Sequence, residues 1–305
     1  MDALLEALLA PPRPCGPDFP AFWTGTRALR EQFSNPMHRA IALGFSADRI
    51  GFAFIGGYSA ALTRVDPTLT VNDLAALCAT EESGGHPRAI RTSLVNGRLN
   101  GDKRFVSGGP LATRLLVVAS EGTSEAGRNR LRLVRVEPTA PGVTVVAMPE
   151  LPFVSEIPHA AVQLRDVVVR GDDVLPGDGS VEVLKPFRTL EDLHVFGGLL
   201  GSLWSIARRS GWAEATGERL WAAVASAVAL GDSDPRAPGT HLALAGLIGE
   251  TNSILSGASW SGVPADEAAR FERDRPLLKV ASAAREARRL KAWQAMRPGT
   301  AEAPH

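Results

Sequence analysis

Cysteine is almost missing from this chain. Cys15 and Cys78 are the only two in 305 residues, a number and spacing that suit neither a zinc site nor a disulfide framework; a reducing compartment and two inert, buried thiols are expected. Net charge is missing too. Lys and Arg number 33 and Asp and Glu also 33, a balance that argues against a nucleic-acid or membrane-surface protein. No apolar run is long enough to cross a bilayer: the longest, over 196–207, is broken by Ser202, Ser205 and three glycines. The opening Met1-Asp2-Ala3-Leu4-Leu5-Glu6 carries acids where an export signal carries bases, so the expected location is cytoplasmic. There is no phosphate loop and no G-x-G-x-x-G, and Gly257-Ala258-Ser259-Trp260-Ser261 misses a nucleophile elbow at its final glycine. The six histidines include no pair at ligand spacing, which leaves no dedicated metal site and puts His38, His241 and His305 at the surface. Aromatics are scarce at 6%, while 30 glycines and 22 prolines require many turns between elements packed on Ala, Val and Leu.

What is present sorts into three consecutive textures, an α+β chain. Residues 1–73 read as a short helical segment interrupted by Pro11, Pro12, Pro14, Pro17 and Pro20. Residues 74–183 alternate β-branched runs with turn dipeptides, as in Leu131-Arg132-Leu133-Val134-Arg135-Val136, and Asn96-Gly97 and Asn100-Gly101 are hairpin-type signals. A middle antiparallel β-barrel or sandwich of six to eight strands fits this stretch. Residues 184–305 read as a C-terminal helical bundle. Leu193, Phe196, Leu200, Leu203 and Ala207 recur at helical steps, and further helices are expected over 212–230, 241–256 and 265–296. The tryptophans of this bundle read as packing residues, and Arg285, Arg288, Arg289 and Lys291 as a solvated helix face.

Two stretches of the β-segment stand out. Cys78-Ala79-Thr80-Glu81-Glu82-Ser83-Gly84-Gly85-His86-Pro87 is a strand end running into a glycine turn, with a hydroxyl and exposed amides. Leu99-Asn100-Gly101-Asp102-Lys103-Arg104-Phe105-Val106-Ser107-Gly108-Gly109 is a short strand ending in an aromatic and a hydroxyl beside glycines. In this order and spacing they resemble the T-E-x-x-x-G-[ST] and L-N-G-x-K-x-[WF]-[IV]-[TS]-x-G segments of the acyl-CoA dehydrogenase family. The run from Ile157 to Val169 resembles the strand that closes that family's middle domain, and the likeness extends over residues 37–296.

The resemblance implies FAD as cofactor and α,β-dehydrogenation of an acyl-CoA or related thioester. An electron-transfer flavoprotein could take the electrons, and a homo- or hetero-oligomer with a related subunit is expected. Carried over by position, Ala79 and Thr80 would meet the flavin edge, and Phe105, Val106 and Ser107 would lie beside its ring. His86 would stand at the substrate, where the family has Ser or Thr. Removing an α proton needs a carboxylate. The segment that holds this glutamate in most of the family, after a Gly-Gly pair, has no counterpart here. A minority places the base in L-E-R-L-x-x-x-G-G-x-L-G, and Leu190-Glu191-Asp192-Leu193-His194-Val195-Phe196-Gly197-Gly198-Leu199-Leu200-Gly201 matches it. Glu191 would then be the base, on a helix stripe with Val195, Gly198 and Ser202, where Gly198 would let another group approach. Asp192 departs from the pattern, which has Arg. The alternative is a non-catalytic subunit of the same fold that pairs with a complete dehydrogenase chain.

Overall fold

A computed structural model describes residues 2–12 and 16–297. The three expected segments close into two compact units, Leu62–Arg188, and Met1–Ala61 together with Thr189–His305. Cys15 and His305 lie outside the described residues.

The helical unit draws on α1 (Asp2–Leu9), α2 (Phe19–Gly25), α3 (Arg27–Gln32), α4 (Pro36–Phe45), the greater part of α5 (Ile50–Val65) and of α6 (Lys185–Ser210), α7 (Glu214–Gly231), α8 (Pro238–Gly257), α9 (Ala265–Asp274) and α10 (Ser282–Met296). Prolines start several of these helices. Asp18 accepts a hydrogen bond from the Ala21 amide at 2.9 Å with Pro20 in the first turn of α2. Asn35 accepts from the Met37 and His38 amides ahead of Pro36, so the proline's missing donor falls where a helix has donors to spare. The single helix expected over 265–296 is two. Pro276 falls within the 3₁₀ turn Arg275–Lys279 between α9 and α10, where a ring without an N–H cannot continue an α-helix. His38 and His241 are half-buried rather than on the surface.

Glycines let the central helices meet backbone to backbone. A Cβ on Gly44 of α4 would collide with the carbonyl of Gly198 on α6, one on Gly57 of α5 with that of His194, and one on Gly198 would come within 2.6 Å of the Ala53 carbonyl oxygen. At Gly198 the group that comes close is the α5 backbone at Ala53. The predicted apolar stripe of α6, Leu193, Phe196, Leu200, Leu203 and Ala207, is buried. Trp204 packs on Trp221, and Trp260 between Trp212 and Phe271.

The other unit is built on one seven-stranded sheet among the described residues: β1 (Ala75–Cys78), β2 (Ser93–Val95), β3 (Arg98–Ser107), β4 (Arg114–Thr123), β5 (Asn129–Val136), β6 (Val143–Ala147) and β7 (His159–Val168). The order is β1-β4-β2-β3-β7-β6, with β5 also on β4. It is mixed rather than wholly antiparallel, since β1 and β2 run parallel to β4. Alternation sets which face a residue takes but not the direction of its neighbour. Asn96 and Gly97 make the hairpin turn between β2 and β3, both at positive φ (50° and 69°). Asn100-Gly101 is not a turn: it lies inside β3, where the Asn100 side chain accepts from the Asp166 amide and Gly101 passes too close to Thr92 for a Cβ. Leu99, Val106, Leu115, Val117, Val134, Val162 and Leu164 form the core with Cys78. Burial pushes the Cys78 thiol up to about 12, so it stays protonated and unreactive.

Candidate functional site

The two motifs of the β-unit are tied together by a buried ion pair. Lys103 Nζ donates to Glu81 Oε1 at 2.7 Å, with side-chain exposures of 0% and 7%. The same carboxylate accepts from the Thr92 amide and hydroxyl, and its other oxygen from the Arg91 amide. Burial pushes the Glu81 carboxyl up, but these hydrogen bonds and the Lys103 charge outweigh it and hold the group below the ordinary glutamate range. Glu81 therefore fixes the start of the glycine turn, closed by reciprocal hydrogen bonds between the Glu81 and Gly84 backbones. Lys103 fixes the middle of β3. Both residues lie inside the quoted motifs; the missed signal was that an acid and a base in one buried domain are more stable as partners than apart.

Immediately after Lys103 the strand changes register. Lys103 pairs with Val162 and Val106 with Ala160, so three steps along β3 oppose two along β7. This is a β-bulge. In a regular strand that buries Lys103, Phe105 would also face inward. The extra residue turns Phe105 outward, 50% exposed, with its backbone in the left-handed region (φ 54°), while Val106 returns to the core. Bulges and non-glycine residues at positive φ are concentrated near functional sites. The bulge is pinned at both sides, by the Arg104 amide donating to the Thr80 carbonyl at 2.8 Å and by the Phe105 amide pointing at Met148 Sδ at 3.3 Å. Thr80 is thereby held beside the displayed aromatic. Ser107, half-buried, shares a hydrogen bond of 3.2 Å with His159 Nε2 on β7, and His159 Nδ1 is 3.0 Å from the Ile157 carbonyl oxygen.

Of the residues expected at a cofactor, Thr80, Phe105 and Ser107 share this stretch of surface, and Ala79 precedes Thr80 at the end of β1. The Val106 side chain is fully buried, which leaves its backbone for contacts at this surface. His86 is exposed and caps a short 3₁₀ turn, its Nδ1 accepting from the Arg88 amide at 3.2 Å. An isoalloxazine requires an apolar wall with hydrogen-bonding groups at its rim. The displayed Phe105 ring, the hydroxyls of Thr80 and Ser107, and Gly84, beside which a Cβ would meet nothing within 4 Å, fit that requirement.

In the helical unit, Glu191 is half-buried in α6. Its neighbour Asp192 is buried and binds two arginines of α10, Arg285 at 3.0 Å and Arg288 at 2.5 Å. Burial pushes the Asp192 carboxyl above its ordinary value against the pull of both guanidiniums. The basic face of α10 is thus in part a structural tie, not solvated as expected. The acid at position 192 is answered by bases 93 and 96 residues further along.

No family model and no curated protein matches the chain. Solved structures do. An FAD-dependent dehydrogenase matches with a TM-score of 0.69 and 14% identity over 97% of this chain and 96% of that one. Butyryl-CoA dehydrogenase from Megasphaera elsdenii matches with 0.63 and 16% over 87% and 83%. The prolyl acyl carrier protein oxidase AnaB matches with 0.62 and 15% over 85% and 82%. The chain has the fold of the acyl-CoA dehydrogenases.

Proposed function

We propose that this chain is an FAD-dependent oxidoreductase that introduces an α,β double bond into an acyl thioester. The observation that carries the reading is the β3 bulge, which turns Phe105 outward next to Thr80 and Ser107. FAD, when bound, would supply the acceptor for the hydride leaving the β carbon. Thr80 and Ser107 would hold the cofactor's polar rim, and Phe105 would keep water from its ring. Glu191 would take the α proton at its carboxylate. The thioester is carried on CoA or, as in the prolyl acyl carrier protein oxidase of similar fold, on an acyl carrier protein. An electron-transfer flavoprotein is the proposed electron acceptor, and an oligomer the proposed working form.

The test is spectroscopic. Purified after expression with FAD available, the chain should show stoichiometric flavin absorbance, bleached anaerobically by a suitable acyl thioester. Glu191→Gln should keep the flavin and lose the bleaching, whereas Glu286→Gln, at an exposed position of α10, should keep both. Bleaching of Glu191→Gln at the wild-type rate would remove Glu191 from the role. A colourless, folded protein that takes up flavin only with a second chain would instead support the non-catalytic subunit.

A further inference from the structure

Ser107 is not an isolated hydroxyl. Its oxygen is 3.2 Å from His159 Nε2, and the other ring nitrogen, Nδ1, is 3.0 Å from the Ile157 carbonyl oxygen. A carbonyl can only accept, so Nδ1 carries the proton. The ring is 9% exposed, and burial lowers its pKa below the ordinary histidine value despite the Ile157 contact, which keeps it neutral. Neutral imidazole protonated at Nδ1 has a bare Nε2, and a bare Nε2 accepts the Ser107 hydroxyl proton. The hydroxyl has one proton and has given it to His159. What Ser107 can offer outward is therefore lone pairs.

That direction matters for a flavin, whose edge nitrogen is a bare acceptor when oxidised and an N–H donor after two electrons and a proton have been added. We infer that His159 is a positioning residue that commits Ser107 to accept rather than donate, so that the site favours the reduced over the oxidised form of the flavin it holds. This rests on the proposed FAD site but adds a residue and a sense to it. Without His159 as acceptor, the Ser107 proton is free to turn toward the oxidised cofactor. A bystander histidine at the start of β7 would have no such effect.

The measurement is the two-electron midpoint potential of the bound flavin in four proteins that retain their native far-ultraviolet dichroism: wild type, His159→Leu, Ser107→Ala and the double variant. His159→Leu should raise the ratio of oxidised to reduced flavin at fixed potential about tenfold, a fall of about 30 mV. Because His159 acts through Ser107, adding the change to Ser107→Ala should shift the potential no further. His159→Gln, whose amide oxygen can still accept from Ser107, should stay near wild type and covers the case in which the leucine variant does not fold. An unchanged potential in His159→Leu, or an equal shift with and without Ser107, overturns the inference and leaves the flavin reading standing. A wild-type chain that takes up no flavin, alone or with a second chain, overturns both. The nitrogen chemical shifts of His159 in the cofactor-free protein give a separate check: an Nδ1-protonated ring is expected, and an Nε2-protonated one refutes the inference whatever the flavin does.

Discussion

Lys103 and Glu81 form a buried ion pair that is costly to break from one side. Both are out of water, so removing one partner leaves an unpaired charge where hydration cannot recover it. Lys103→Met should destabilise the protein by about 3–5 kcal/mol, the range for breaking a buried pair from one side. Adding Glu81→Gln removes the stranded charge and should recover part of that loss, because the glutamine's one carbonyl oxygen can still accept from the Thr92 amide and hydroxyl, while its NH2 cannot replace the oxygen that accepts from the Arg91 amide. Urea midpoints of the two variants decide it; a double variant no more stable than Lys103→Met would mean the pair is not the organising contact. Phe105 and Ser107 were legible from the motif around them, but the partners that orient them were not. His159 is 52 residues from Ser107, and their meeting depends on the β3–β7 register, which period-two alternation does not encode.

At the scale of elements, hydrophobic periodicity located the stripe of α6 and the β-branched runs of the sheet, because each is a local consequence of burying one face. It could not locate the bulge, since one inserted residue looks like any other in a polar-to-apolar string. Nor could it tell helix-packing glycines from spare ones. Gly198 and Gly246 lie in comparable helical runs, yet a Cβ at Gly198 meets the Ala53 backbone and one at Gly246 meets nothing within 4 Å. The two should respond to alanine with opposite signs. Gly246→Ala should gain up to about 1 kcal/mol from helix propensity. Gly198→Ala should incur an overpacking cost of about 1–3 kcal/mol, because the Ala53 backbone cannot give way, and this outweighs the same propensity gain. Thermal or urea unfolding reads both, and a neutral Gly198→Ala would mean that α5 and α6 can separate without cost.

At pH 7 the formal charge cancels, and the onset of acid sensitivity is set by the groups whose titration folding shifts. In the sheet unit, His159 is held below 6.5 by burial. Glu81 is held below 4.5 and Asp66 below 3.8, where hydrogen bonds and charge from Lys103 and Arg135 outweigh burial. For each of them the unfolded chain takes a proton at a pH where the folded chain still refuses it. Their stabilisation is complete above the unfolded value and is lost as pH falls through the folded one. Asp192, in the helical unit, has the opposite sense: its folded value is raised above 3.8, so in that window the folded chain holds a proton the unfolded chain lacks, and stability rises as pH falls. His38 and His241, also in the helical unit and held below 6.5 chiefly by burial, follow the pattern of His159. Both units should therefore weaken as pH drops below about 6.5, but through the carboxylate range the sheet should keep losing stability while Asp192 offsets the loss around α6 and α10. Hydrogen exchange compared at pH 6.5 and pH 4.0, corrected for intrinsic rates, should show a greater loss of protection in β3 and β7 than in α6 and α10. If the helices lost protection equally, the Asp192 cluster would not carry the sign its burial implies, and Asp192→Asn should then leave the acid limb unchanged.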